Sequence, residues 1–233
     1  MRTNIIEVTI RTIMNIVVLG PQGSGKGTQA EKLAQKFGLE HIDMGKFLRE
    51  VAKQDSALGR EVYQIQNMTK TLVPSRILQE VFTMKLNSIP QEQGIVFDGF
   101  PRNLDQAQYF QKALLEFGRV IDVIFNIKIS EEEAVKRISK RWVCEKCKSV
   151  FIMGKEIKDK KEKCPACGNE IGQRIDDTPE GVRKRLKVFR EETVPVLNSF
   201  EENGLVVDID GEQPIDKVFE DILKKVKEIN DTY

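Results

Sequence analysis

Four apolar runs rich in β-branched residues punctuate the chain, at Ile13–Leu19, Ile95–Asp98, Val120–Ile127 and Leu205–Ile209. They are largely apolar rather than alternating, as strands buried on both faces are. A weaker candidate spans His41–Asp43. Between these runs, apolar residues recur at helical spacing over Lys26–Phe37, Gly45–Lys53, Leu58–Asn67, Ser75–Leu86, Leu104–Phe117, Glu131–Arg141, Pro179–Glu202 and Pro214–Ile229. Alternation of strand and helix predicts an α/β fold, a parallel sheet with right-handed crossovers. Ser130 followed by Glu133 reads as a capping box. Pro195 should bend or divide the long penultimate helix. Two stretches break the rhythm, a mostly helical one over 44–73 and a cysteine-bearing one over 142–177. Both read as small insertions on one core made of 14–43, 74–141 and 178–233.

A length of 233 residues suits one main domain with insertions better than two full domains. Lys and Arg number 37 against 36 acids, a net charge of +1, which argues against bulk electrostatic binding to nucleic acid or membrane. No apolar run approaches the roughly 20 residues of a membrane span. Residues 1–13 form an N-terminal extension in which Glu7 and Arg11 interrupt the apolar positions, so it carries no signal-peptide core. Met14, at the opening of a strand, suits a natural start. The expected setting is cytoplasmic.

Behind the first strand comes Gly20-Pro21-Gln22-Gly23-Ser24-Gly25-Lys26-Gly27-Thr28, and a helical pattern follows. Strand, glycine-rich turn and helix are the context a phosphate loop requires. Glycines let successive N–H groups turn inward, and the helix N-terminus adds positive partial charge. Lys26 supplies a mobile full charge for β- and γ-phosphates. Gly27 stands where the hydroxyl commonly sits, and the hydroxyl moves to Thr28. The two insertions lie where they could close over a nucleotide.

Cys144-x2-Cys147-x16-Cys164-x2-Cys167 uses all four cysteines of the chain. Paired knuckles at this separation form a four-cysteine zinc-ribbon pattern. Two thiolates from each knuckle complete a tetrahedron and leave no open position, so the metal would be structural. The interval is charged, from Lys155 to Lys163, and a metal would supply the organisation that a core cannot. Free thiols, disulfides and a nucleic-acid-binding ribbon are the competing readings.

Arginines cluster at element ends. Arg137 and Arg141 lie four apart near a helix end and should share a face. Arg174, Arg183 and Arg185 follow the ribbon, Arg102 follows a strand, and Arg49 lies on the first insertion. Guanidinium groups clamp phosphates bidentately. Asp98 ends an apolar run, where a carboxylate can hold magnesium directly or through water. His41, the one histidine, is expected to pack or point to solvent.

With these residues in view, the chain resembles an adenylate kinase of the nucleoside monophosphate kinase family, the long-lid, zinc-containing type. The resemblance runs from Met14 to the C-terminus. It rests on Gly20–Thr28 with Gln29-Ala30, Asp98-Gly99-Phe100-Pro101-Arg102 with Gln106-Ala107, Arg174-Ile175-Asp176-Asp177, Val182–Leu186 and Asp210-Gly211. It implies a five-stranded parallel core, a monophosphate-binding insertion and a zinc lid, in a monomer. By the same resemblance, Gly23, Ser24, Gly25, Lys26, Gly27, Thr28, Arg137 and Gln213 would contact ATP. Arg141, Arg174 and Arg185 would contact the transferring phosphoryl. Met44, Arg49, Val73, Gly99, Arg102 and Gln106 would bind AMP, and Asp98 would sit in the magnesium shell. Asp176 and Asp177 would lock the closed lid.

The resemblance thus implies reversible transfer of the ATP γ-phosphoryl to AMP, giving two ADP, with Mg2+ accompanying ATP. The departures fall on the acceptor side. Met44 and Lys46 replace the family's usual Thr and Asp, and Lys70-Thr71-Leu72-Val73 replaces its Gly-Lys-Leu-Val. They leave open another acceptor (UMP, CMP or GMP), or a nucleotide-binding regulator with little turnover.

Overall fold

A computed structural model describes residues 14–65, 73–173 and 177–231. Strands β1 (Asn15–Leu19), β2 (Glu40–Asp43), β3 (Ile95–Asp98), β4 (Val123–Lys128) and β8 (Val206–Asp210) form one sheet in the order β2-β3-β1-β4-β8. Every pairing in it is parallel. Alternate residues of each inner strand feed two cores. Val17, Leu19, Ile95, Phe97 and Ile124 face one, and Ile16, Val18, Val96, Val123, Phe125 and Ile127 face the other. This two-sided burial is why the strands read as unbroken apolar runs.

Helices α1 (Lys26–Phe37) and α9 (Ile215–Asn230) cover the second core. The first is covered by α2 (Met44–Val51), α3 (Ala57–Tyr63), α4 (Ser75–Asn87), α5 (Leu104–Glu116) and α8 (Val194–Glu201). Phe82, Phe97, Phe100 and Phe110 interlock at its centre, with Phe97 and Phe110 edge-to-face at 4.8 Å. Helices α6 (Glu131–Ser139) and α7 (Pro179–Val188) pack on each other through Ala134, Ile138, Val182 and Leu186.

Several expected boundaries shift for local reasons. Strand β4 starts at Val123, because Val120 is exposed and its carbonyl accepts from Asn15 Nδ2 at 2.8 Å. Helix α2 starts at Met44, because the Asp43 side chain accepts from Lys46 N at 2.9 Å and caps it. Only half of the Ser130 capping box forms. Ser130 Oγ accepts from Glu133 N at 3.3 Å, but the Glu133 carboxylate turns to Lys136 and Arg137, and Ser130 N donates to Glu212 instead. Pro195 divides its helix as expected. A π-helical turn, Phe189–Thr193, separates α7 from α8, absorbing the ring that would clash one turn back.

A second sheet holds the cysteine-bearing stretch. Strands β6 (Val150–Ile152), β5 (Arg141–Cys144) and β7 (Ile171–Gly172) pair antiparallel, with β5 central. The core of this ribbon is small: Cys144, Ile157, Cys164 and Ile171, flanked by Trp142, Phe151 and Met153.

At the opposite ends of the strands, a buried arginine ties the core together. Arg119 is 3% exposed, and its guanidinium donates to Gln93 O at 2.7 Å and Pro90 O at 2.6 Å. Desolvation draws its pKa below the usual arginine value. The Arg119→Met variant should lose about 2–4 kcal/mol of stability in urea titration, because buried carbonyls lose their donors. A loss below the ~0.5 kcal/mol typical of surface changes would show that the clamp is dispensable.

Candidate active site

The crevice between the carboxyl ends of β1 and β3 is a topological switch point. Connections leave these neighbouring strands in opposite directions, toward β2 and β4, and such crevices hold ligands in open α/β sheets. Two loops meet there. The loop after β1 runs over Gly20 to Gly25, and Gly23 and Gly25 take φ of 86° and 88°, the left-handed region open to glycine. Gly25 caps α1 with no side-chain hydrogen bond, and Lys26 Nζ reaches back across the loop to donate to Pro21 O at 3.4 Å. Ser24 Oγ is buried with no partner. An uncapped helix opening of this kind binds anions.

Lys26, in the first turn of α1, is the centre of the array. Removal from water lowers its pKa from 10.5 to about 8, opposed by the Asp98 carboxylate and reinforced by Arg102 and Arg141. Those charges come from three other elements, so the fold has brought them to one place. Gly99 is tightly confined: a Cβ there would sit 3.1 Å from Lys26 Cε and 3.5 Å from Arg102 Nη2. Arg102 is held by its own loop, donating from Nε to Gly99 O at 2.7 Å and from its backbone N to Gln106 Oε1 at 2.8 Å.

Asp98 lies at the end of β3 with its side chain 12% exposed. A Cβ on Gly27 would come within 3.0 Å of Asp98 Oδ2, so the bare glycine keeps this carboxylate reachable. A hard carboxylate beside an anion-binding loop fits a phosphate-bound magnesium ion. His41 packs as expected: its buried Nε2 makes no hydrogen bond, and it lies 3.6 Å from Asp98 Oδ2. The parallel register, with Asp43 beside Asp98, brings β2 against β3 there.

The arginines divide into two groups. Arg137 and Arg141 do not share a helix face, because α6 ends at Ser139 and Arg141 opens β5. Arg137 reaches Gly23 O at 3.4 Å and is held by Glu133. Arg141 makes a two-pronged contact with Asp177, donating from Nε at 2.9 Å and from Nη2 at 2.6 Å. Arg185 Nη2 meets the same carboxylate at 3.0 Å. The Asp177 side chain is fully buried between them. This junction joins the ribbon to α7. Arg183 instead turns outward toward Glu131. Arg174 and Asp176 lie outside the described residues.

The residues expected on the acceptor side are more dispersed. Arg49 is exposed in the last turn of α2, one turn from Gly45. Met44 is 5% exposed, because it shares the buried face of α2 with Leu48 and Val51. Its side chain belongs to the core, which leaves its backbone as the part that could meet a ligand. Val73 is half-buried against the same core, beside segment 66–72, which lies outside the described residues. Gln213 follows β8 and donates to Asp221 at 2.8 Å. Thr28 is exposed in the first turn of α1. A cavity of about 320 Å3 opens nearby, lined in part by Pro21, Asn126, Lys128 and Phe189, and it does not include Lys26.

In the ribbon, the four cysteine sulfurs lie within 4.8 Å of one another. Cys144 pairs with Cys167 and Cys147 with Cys164, each at 3.5 Å. Ser149 draws the Cys147 thiol down to about 6, toward the thiolate a metal needs. Four converging sulfurs are the donor set of a closed tetrahedral zinc site.

The adenylate kinase family model matches residues 18–205. An adenylate kinase of Archaeoglobus fulgidus is 36% identical over 217 residues, 92% of this chain and 100% of the relative. That of Methanosarcina acetivorans is 38% identical over 209 residues, covering 90% and 96%. That of Kosmotoga olearia is 38% identical over 217 residues, covering 93% and 100%. Likeness on this scale, running nearly end to end in each pair and laid over a crevice built for anions, makes the chain a member of the adenylate kinase family.

Proposed function

We propose that the chain catalyses reversible transfer of the γ-phosphoryl group of ATP to AMP, giving two ADP. The observation that carries this reading is the convergence of Lys26, Arg102 and Asp98 at the β1/β3 crevice, where a Cβ on Gly99 would meet Lys26 at 3.1 Å and Arg102 at 3.5 Å, and one on Gly27 would meet Asp98 at 3.0 Å. Phosphoryl transfer asks for in-line placement and positive charge around the equatorial oxygens, with little acid–base help. The loop amides and Lys26 would hold the β- and γ-phosphates, with Arg137 on the ATP side. Arg141, Arg174 and Arg185 would neutralise the migrating group. Arg102 and Arg49 would fix the phosphate of AMP, while Gln106 and the backbone around Val73 and Met44 face its base. Gln213 would lie near the adenine of ATP. Asp98 would hold magnesium, which would offset the phosphates' negative charge when bound.

Residues 44–73 are proposed as the monophosphate-binding insertion and 142–177 as the lid. Their closure would exclude water, the competing acceptor. Cys144, Cys147, Cys164 and Cys167 would hold a structural zinc. Among the described residues no helix is long and apolar enough to cross a membrane. A monomer in the reducing cytoplasm, without nucleic acid, fits this reading.

The purified protein with Mg-ATP should phosphorylate AMP in preference to UMP, CMP or GMP. Absence of AMP turnover, or faster turnover of another monophosphate, would overturn the assignment. Elemental analysis should find one zinc per chain. A strong chelator should then expose Trp142 and open the lysine-rich 155–163 segment to trypsin, because the ribbon core is too small to hold alone. An unchanged digestion pattern after zinc removal would refute a structural metal.

A further inference from the structure

We propose that the ribbon is a peroxide-responsive site, in which two cross-knuckle disulfides form and zinc is released. The two close sulfur pairs each join different knuckles, Cys144 with Cys167 and Cys147 with Cys164, at 3.5 Å. In each pair one cysteine is exposed and the other buried: Cys147 and Cys167 face solvent, and Cys144 and Cys164 are enclosed. Exposure decides which sulfur meets an oxidant, and proximity decides which one resolves the product.

The chemistry balances with a hydroperoxide as the oxidant. The Cys147 thiolate attacks the distal peroxide oxygen, the O–O bond breaks, and the alcohol (water, for hydrogen peroxide) leaves. Cys147 becomes a sulfenic acid. The neighbouring Cys164 sulfur then attacks the Cys147 sulfur, the S–O bond breaks, and hydroxide leaves to take up a proton as water. Two thiolates have given two electrons to one peroxide. The same sequence at Cys167 and Cys144 consumes a second equivalent. Disulfide sulfur is a poor zinc ligand, so the ion departs. A thiol reductant reverses both bonds by exchange.

The fold gives this oxidation a route outward. Strand β5 ends at Cys144 and begins at Arg141, which grips the buried Asp177. Loss of the metal loosens the strand that carries this arginine. Trp142, the one tryptophan of the chain, lies between them and packs on the ribbon core, so it reports on the change directly.

This inference rests on the zinc reading of the ribbon, and one experiment separates the two. The zinc-loaded protein is titrated with hydrogen peroxide while a colorimetric chelator reads free zinc, Trp142 fluorescence is followed, and peptide mass mapping assigns the disulfides. About two equivalents of peroxide should release the full equivalent of zinc, with Cys144–Cys167 and Cys147–Cys164 bonds. Reductant with added zinc should restore the starting fluorescence. Cys147→His keeps a fourth ligand of the type zinc accepts and should form only the Cys144–Cys167 bond. Zinc retained through excess peroxide, disulfides within a knuckle, or irreversible oxidation without disulfides would each overturn the switch. A protein that takes up no zinc at all defeats the metal reading instead.

Discussion

Lys26→Met is expected to lower kcat/KM for phosphoryl transfer by about 10^3-fold or more, while the variant stays folded. The loss is of the scale seen when a preorganised charge facing a developing anion is removed. The stability prediction runs the other way. Desolvation lowers the Lys26 pKa from 10.5 to about 8, so its charged form is disfavoured in the folded state. Below about 8 both states are protonated and the folded protein bears the full penalty. Between about 8 and 10.5 the unfolded chain binds the extra proton, so stability of the free protein rises with pH. The penalty at neutral pH is on the order of 1–3 kcal/mol. Methionine carries no charge, so the variant's stability should be no lower than wild type at pH 7, and its rise above pH 8 should be smaller. Denaturant titrations at pH 7 and 9.5, beside the kinetic assay, check both parts. A folded variant with wild-type turnover would remove Lys26 from the mechanism.

Asp177→Ala should be the most costly single change at the junction of ribbon and core. The carboxylate is fully buried and accepts from both Arg141 and Arg185. Deleting it leaves two guanidinium groups close together in a confined place, without the charge that paired them. Breaking a buried pair from one side costs about 3–5 kcal/mol. The two arginines retain some exposure, at 15% and 23%, which places the expected loss near the lower end. Turnover should fall by about 10^2-fold or more at saturating nucleotide, because both arginines lose the orientation that positions them. Asp177→Glu, which keeps the charge but shifts it by one methylene, should recover part of the stability. Calorimetry of both variants tests this. A change in Tm of less than about 2 °C for Asp177→Ala would show that the arginines are held by other contacts.

Much of the architecture could be read along the chain. Each inner strand is an apolar run because both of its faces are covered, and each covering helix repeats its apolar face every turn. The glycine-rich loop was legible because its spacing and its position between strand and helix coincide. The cysteines were legible as two knuckles. These are local signals, in which neighbours in sequence are neighbours in space. Arg137 and Arg141 show where such signals stop. Four residues apart, they look like one helix face, but Lys140 intervenes as the cap of α6, and the chain turns extended to enter the ribbon sheet. Met44 stands where a ligand contact was expected, yet the helical period of α2 turns its side chain inward.

The sequence by itself determined the core strands and helices, their order, and the chemistry available at the phosphate loop and the cysteine knuckles, because periodicity and spacing act over a few residues; the three short ribbon strands carried no such signal. The tertiary structure alone decided which distant polar and charged groups meet. Parallel register set His41 beside Asp98, the switch point set Arg102 beside Lys26, and the ribbon junction closed Arg141 and Arg185 on Asp177. Arg119 found its carbonyls only when two loops met at the far ends of the strands. Electrostatic partners are chosen by separation in space, and strand order and crossovers, rather than adjacency in the chain, fix that separation.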